Sequence, residues 1–164
     1  NPLVLIEVLG NGHNDIAMIA LALIAIIVLQ KKIAAIAVLI LSIFVKGATL
    51  LLVPLLLTNI RKENKILLSF YLMFGLLLFT PIREELYPWY AVWFLPFAAL
   101  LMPPGRPVQT LSIVVSLTLM LRYVPYMYYG RYDGLVPLLR LIITVVPLSL
   151  YTLYSLIQYA YRNR

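Results

Sequence analysis

Polar and apolar positions fall into long blocks along this chain. Apolar runs extend over Ile16 to Leu29, Ile33 to Thr58, Ile66 to Thr80, Pro88 to Met102, Val108 to Tyr129 and Leu135 to Tyr161, with short polar links between them. Periodicity cannot separate helix from strand inside a uniformly apolar run, but length can. These runs are fourteen to twenty-seven residues long, whereas a membrane-spanning strand needs only about ten. They therefore predict six helical segments. The second run is long for one crossing and carries Lys46-Gly47 near its middle. A lysine at the bilayer centre costs about 2.5 to 3.5 kcal/mol on insertion scales, so Lys46 is expected to face protein or a water-filled cavity.

Charge distribution separates two ways of threading that run. If Ile33 to Thr58 crosses once, the basic residues of the links divide six to four between the two faces. If it enters and returns with a break at Lys46-Gly47, then Lys31, Lys32, Arg61, Lys62, Lys65, Arg106, Arg162 and Arg164 share one side, leaving Arg83 and Arg131 on the other. The positive-inside rule favours the second arrangement. Each arm is then about twelve residues, roughly 18 Å at 1.5 Å per residue, too short for about 30 Å of hydrocarbon. Irregular backbone at that depth requires surrounding protein or a wet cavity, so a cavity is expected near Lys46. The competing expectation is a single tilted helix with its lysine satisfied in the core.

Composition supports a membrane protein. Of 164 residues, 63% are hydrophobic and 12% charged, against roughly a quarter charged in soluble domains; mean hydropathy is +0.98. The net charge of +7 lies mostly in the links between apolar runs, not on a basic stripe of a soluble face, which argues against nucleic acid as a partner. Without cysteine there are no disulfides and no thiolate metal ligands. The chain starts at Asn1-Pro2 without an initiator methionine or a signal-peptide pattern, so it is expected to be a piece of a longer protein. The expected fold is all-α: one polytopic transmembrane helical bundle over residues 1–164, with about five full spans and one broken or re-entrant hairpin.

On the hairpin topology, Glu7, His13, Asp15, Arg83, Glu84, Glu85, Arg131 and Asp133 collect at the outer face. The first run spans only about 21 Å, so Asn-Gly-His-Asn-Asp at its start is expected inside an outward polar cavity.

The stretch "NPLVLIEVLGNGHND", then "FVKGATLLLVPLLL" and then "YPWYAVWFLPFAAL" resembles the polyprenyl-phosphate-sugar-dependent membrane glycosyltransferases of the GT-C superfamily, particularly glycosyltransferase family eighty-seven and mannosyltransferase-like relatives. The resemblance covers about the first hundred residues. It implies a many-helix enzyme of the prokaryotic plasma membrane that takes a sugar, of mannose type, from a polyprenyl phosphate on the extracytoplasmic side and passes it to a lipid, glycan or protein hydroxyl. It also implies that the catalytic first loop precedes Asn1, making this the C-terminal part of a longer chain.

Transfer of a sugar from a phosphate needs a base for the acceptor hydroxyl and positive charge near the departing phosphate. Asp15, His13 and Glu7 are the candidate catalytic groups. Glu7 lies eight residues before Asp15, a shared helix face unless Gly10 and Gly12 break the turn. Asn11, Asn14, Lys46, Trp89, Tyr90, Arg122 and Arg140 are the candidate substrate-binding residues. No metal ligands are assigned, though a divalent metal is an admissible cofactor.

Simpler roles compete with each assignment. Asn11, Asn14 and Asp15 have the side chains of helix caps, and a lone histidine is weak evidence for a metal site. Glu84-Glu85 reads as a solvated pair. Arg122 and Arg140 sit within apolar runs, where they either snorkel to headgroups or together hold a phosphate. The aromatics from Tyr87 to Trp93 and from Tyr123 to Tyr132 suit a membrane aromatic belt; Trp89 and Trp93, four apart, share a face if the segment is α-helical. A transporter or lipid-linked sugar flippase is the rival function, but it needs polar groups leading to both faces.

Overall fold

The computed structural model describes residues 1–83, 85–101 and 107–162. Glu84, Arg106 and Arg164 of the polar links, and Met102 at the end of the fourth apolar run, lie outside the described residues. Every regular element among the described residues is a helix: α1 (Pro2–Gly10), α2 (Asp15–Ile27), α3 (Lys32–Val45), α4 (Gly47–Leu57), α5 (Lys62–Arg83), α6 (Pro88–Leu100), α7 (Pro107–Leu121), α8 (Tyr123–Tyr129) and α9 (Val136–Arg162). They fall into two compact units, Asn1–Gln109 and Thr110–Arg164.

The first unit is built on an antiparallel pair. Helix α2 buries Met18, Ile19, Ala22, Ala25 and Ile26, and α3 buries Ala35, Leu39 and Ser42. Both sets recur at three- and four-residue steps, one stripe per helix. Their alanines let the two backbones approach closely, and the link between them is only residues 28–31. The hairpin brings Asp15, at the start of α2, to the same end as Lys46, just beyond α3. There the backbone of Lys46 is extended (φ −163°, ψ 128°), and α4 begins as a 3₁₀ helix over Gly47–Leu52. The Ser42 hydroxyl lies 2.8 Å from that of Thr49 in α4 and donates to the Met18 carbonyl at 2.7 Å, tying the break to both helices.

Helix α4 runs back along α3. Its Leu56 and Leu57 line a small cavity with Lys32 and Ala35 at the start of α3. Its final carbonyls are held by Lys65 of α5, whose ammonium donates to the carbonyls of Leu55 and of Thr58, the latter at 2.6 Å. Such bonds satisfy the orphan acceptors of a helix C-terminus. Entry at Lys32 and exit at Lys62 therefore lie at one end of this hairpin. Cysteines placed at these two positions are expected to be protected together from an impermeant thiol reagent in intact cells, and to react together once the membrane is permeabilised. Labelling of one with protection of the other would mean a single crossing.

Helices α5 and α6 complete the unit through a buried aromatic cluster. Phe70 and Phe74 of α5 meet Phe94 of α6 edge-on, with centroids 5.8 and 5.2 Å apart.

In the second unit, α7 and α8 are separated by the single residue Arg122. Gly130 ends α8 with φ +65°, a left-handed cap in which its amide bonds the Tyr126 carbonyl at 2.8 Å. Only 11% of the most apolar window of α9 is buried by the chain. Its exposed leucines, isoleucines and valines suit contact with lipid.

The described residues carry fewer long apolar helices than the five or so full spans expected. Among the described residues three segments are long and apolar enough to cross a membrane, Lys62–Ile82, Pro107–Tyr129 and Val136–Tyr161, or up to four if α1 and α2 form one broken span. The first and fourth apolar runs fall short because their helices are short. Helix α2 has 13 residues, and α6 is half 3₁₀ (Pro88–Trp93), becoming α-helical only over Leu95–Leu100. The segment before Gly10, outside the six apolar runs, is helical: Asn1 caps it by accepting from the Leu3 amide at 3.0 Å, and it continues as a π-helix over Leu5–Gly10.

Candidate functional site

Local chain geometry places the candidate residues of the first unit in two clusters. Gly12, at φ +65°, takes a left-handed conformation costly to other residues, and α1 meets α2 at 111°. The shared helix face anticipated for Glu7 and Asp15 is thus lost, because the glycine turn interrupts the helix between them. Each carboxylate instead finds its own partners.

Asp15 is 1% exposed. Its Oδ1 accepts from the Lys46 ammonium at 2.9 Å and from the Trp93 indole N–H. The capping reading of Asp15 is corrected here: Asn14 occupies the cap position, its side chain makes no capping bond, and Asp15 is the first helical residue, turned toward Lys46. The same ammonium lies 5.2 Å from the centre of the Tyr90 ring and 5.3 Å from that of Trp93, within cation–π range. A carboxylate and two aromatic faces thus compensate the charge that the apolar run carries.

Beyond this cluster opens a cavity of about 480 Å³, lined by Lys46, Tyr90, Trp93 and Thr80 among polar and aromatic groups, with Leu50, Leu51, Leu76 and Phe79 as apolar wall. Asp15 is not part of the lining. It stands behind Lys46, so the group presented to the cavity is the cation.

The second cluster surrounds Glu7, which is fully buried. Its Oε2 accepts from the Asn11 amide at 2.9 Å and lies 3.5 Å from Nε2 of His13. The His13 ring stacks on Trp89 at 4.3 Å, and Tyr87 stacks on the same indole at 4.3 Å. Trp89 is therefore engaged by two of the chain's own rings. The shared face expected for Trp89 and Trp93 also fails: at three residues per turn in the 3₁₀ segment it is Tyr90 and Trp93 that align, 4.4 Å apart. Trp93, which four-residue spacing paired with the wrong neighbour, becomes the residue tying α6 to Asp15. A 3₁₀ start is the signal that would have identified it. Asn14 is exposed.

Arg122 and Arg140 lie in the second unit. Arg122 is 6% exposed, and its Nη1 donates to the Thr144 hydroxyl at 2.6 Å and to the Arg140 carbonyl at 3.2 Å. It reaches across to α9 rather than snorkelling outward. The Arg140 guanidinium stands 5.7 Å from the Tyr132 ring centre, and Tyr132 stacks on Tyr126 at 4.2 Å. Among the described residues no three of His, Cys, Asp and Glu gather into a metal-binding group; Glu7 and His13 make two.

The segment carrying Glu7, His13, Asp15 and Lys46 is also where the chain is similar to known proteins. Neither a curated protein nor a solved structure matches the chain. The family described as alpha-(1->6)-mannopyranosyltransferase, N-terminal domain, matches residues 1–61, which span α1 to α4 and the link that follows.

Proposed function

We propose that this chain forms part of a GT-C-type membrane glycosyltransferase of a prokaryotic plasma membrane. In this reading it transfers a mannosyl group from a polyprenyl phosphate to an acceptor hydroxyl at the extracytoplasmic face. The observation that carries the reading is Lys46, held against Asp15 and Trp93 and lining a cavity whose other walls are largely apolar. Such a cavity suits an amphiphile with one anionic group: the ammonium meets the phosphate, and the leucines and Phe79 meet the isoprenoid. As the sugar departs, the phosphate gains charge, and a fixed cation there stabilises the transition state more than the ground state. The match of residues 1–61 to a mannosyltransferase family supports the choice of sugar.

The test uses the full-length protein in liposomes, supplied with radiolabelled polyprenyl-phosphate mannose and an alkyl α-mannoside acceptor. Label is expected to move to the acceptor, and a nucleotide-linked mannose is expected not to replace the lipid donor. Transfer from the nucleotide sugar alone would overturn the reading.

Arg122 and Arg140, in the second unit, are an alternative to Lys46 as the cationic group for the donor's phosphate. Lysine keeps the charge of Arg122 but not its planar fork, so Arg122→Lys is expected to raise the donor KM about tenfold, a loss of about 1.4 kcal/mol in binding, with membrane insertion unchanged. An unaltered donor KM would make Arg122 a residue of helix packing alone.

A further inference from the structure

We infer that the small cavity where α3 begins and α4 ends binds an anionic phospholipid of the cytoplasmic leaflet. The lipid's phosphodiester sits among the basic side chains of the rim, and the start of one acyl chain enters between α3 and α4. This does not depend on the transfer reading above; it needs only the hairpin.

The cavity has a volume of about 90 Å³ and is lined by Leu29 from the link after α2, by Lys32, Ala35 and Ile36 of α3, and by Leu56 and Leu57 of α4. Every lining residue except Lys32 is apolar, so the site is an apolar hole with a cation at its edge. Ile36 and Leu57 are also 44% and 73% exposed, which carries the apolar wall out onto the surface of the hairpin. A soluble anion gains nothing from such walls. An anion that carries a hydrocarbon chain gains both the cation and the apolar contact.

The rim is strongly basic. Lys31, Lys32, Arg61 and Lys62 are all exposed, and none of them forms an ion pair among the described residues. Return of the chain through α4 brings the two basic pairs to one end of the hairpin. Lys65, near enough to Lys32 for their charges to repel, is engaged with the Leu55 and Thr58 carbonyls and is not part of the rim. Between Lys31 and Lys65 the one acidic residue is Glu63. Like charges gathered in this way oppose the compact state until an anion offsets them.

The positive-inside rule puts this end at the cytoplasmic leaflet, where anionic lipids concentrate and where basic pockets between helices hold lipid headgroups. The small volume admits a length of chain and leaves the headgroup outside, at the level of the four cations. A lipid seated there touches both arms and fastens α3 to α4 at the end opposite Lys46.

The full-length protein in a non-ionic detergent, titrated with phosphatidylglycerol or with phosphatidylcholine of the same chains, provides the test. Native mass spectrometry reads the bound fraction, and melting curves read the effect on the fold. Phosphatidylglycerol is expected to bind about tenfold more tightly than phosphatidylcholine and to raise the melting temperature more. In Lys32→Gln/Arg61→Gln/Lys62→Gln the preference is expected to fall to about twofold or less. Ile36→Trp keeps every charge but narrows the cavity, and is expected to lose the preference as well. Both variants are expected to bind phosphatidylcholine as the wild type does, which guards against a folding defect. Equal affinity of the wild type for the two lipids, or an undiminished preference in the triple variant, would overturn the site. So would an undiminished preference in Ile36→Trp, which would reduce the site to a charged surface, or its suppression by inorganic phosphate at the lipid's own concentration, which would assign the rim to a free anion. None of these outcomes touches the transfer reading, and a protein that transfers nothing from the lipid donor leaves this site standing.

Discussion

Lys46→Met is expected to abolish measurable transfer and to destabilise the first unit, and the two effects can be separated. Asp15 is 1% exposed and Lys46 36%, so deleting the ammonium strands a buried carboxylate whose other hydrogen-bond donor is the Trp93 indole. Breaking a buried pair in this way costs about 3 to 5 kcal/mol. The double variant Asp15→Asn/Lys46→Met removes the stranded charge and is expected to recover most of the lost thermal stability. Transfer should not recover, because the cavity lined by Lys46 then offers the donor phosphate no cation. Loss of one preorganised donor at a developing anion lowers kcat about 10²- to 10³-fold. Melting curves of the detergent-solubilised protein and transfer assays on the same preparations check both halves. Wild-type turnover in the double variant would remove Lys46 from the reaction.

Asp15→Asn alone is expected to lower transfer at least about tenfold while destabilising the protein less than Lys46→Met, by about 1 to 2 kcal/mol. The asymmetry follows from exposure. Lys46, left without its carboxylate, still has water and two aromatic faces nearby, whereas Asp15 left without Lys46 has little access to water. A capping role makes the opposite prediction, since asparagine caps as well as aspartate and the variant would behave as wild type. Turnover measured beside the thermal midpoint distinguishes the two.

Several features of the site were legible in the residues because they depend on cost rather than on packing. A lysine inside a long apolar run needs a partner or water wherever it sits, and a Lys-Gly pair in that run suggests a break. The partner itself was not legible. Asp15 and Lys46 are separated by 31 positions, Asp15 and Trp93 by 78, and an apolar run looks the same whichever neighbour it packs against. The two-cluster division of Glu7 and Asp15 depended on whether Gly12 took a positive φ, which glycine allows but does not require.

From its sequence alone this protein is an all-helical chain with the composition of a membrane protein, because lengths of apolar runs and the scarcity of charge follow directly from the demands of a hydrocarbon solvent. The tertiary structure decided how many of those runs are long enough to cross, since 3₁₀ turns, a break at Lys46 and short helices appear only when the backbone is folded. It also decided which polar groups meet. Hydropathy tells that a charge must be compensated, while only the packing of α2, α3 and α6 determines that Asp15 pairs with Lys46 and that Glu7 lies against His13 instead.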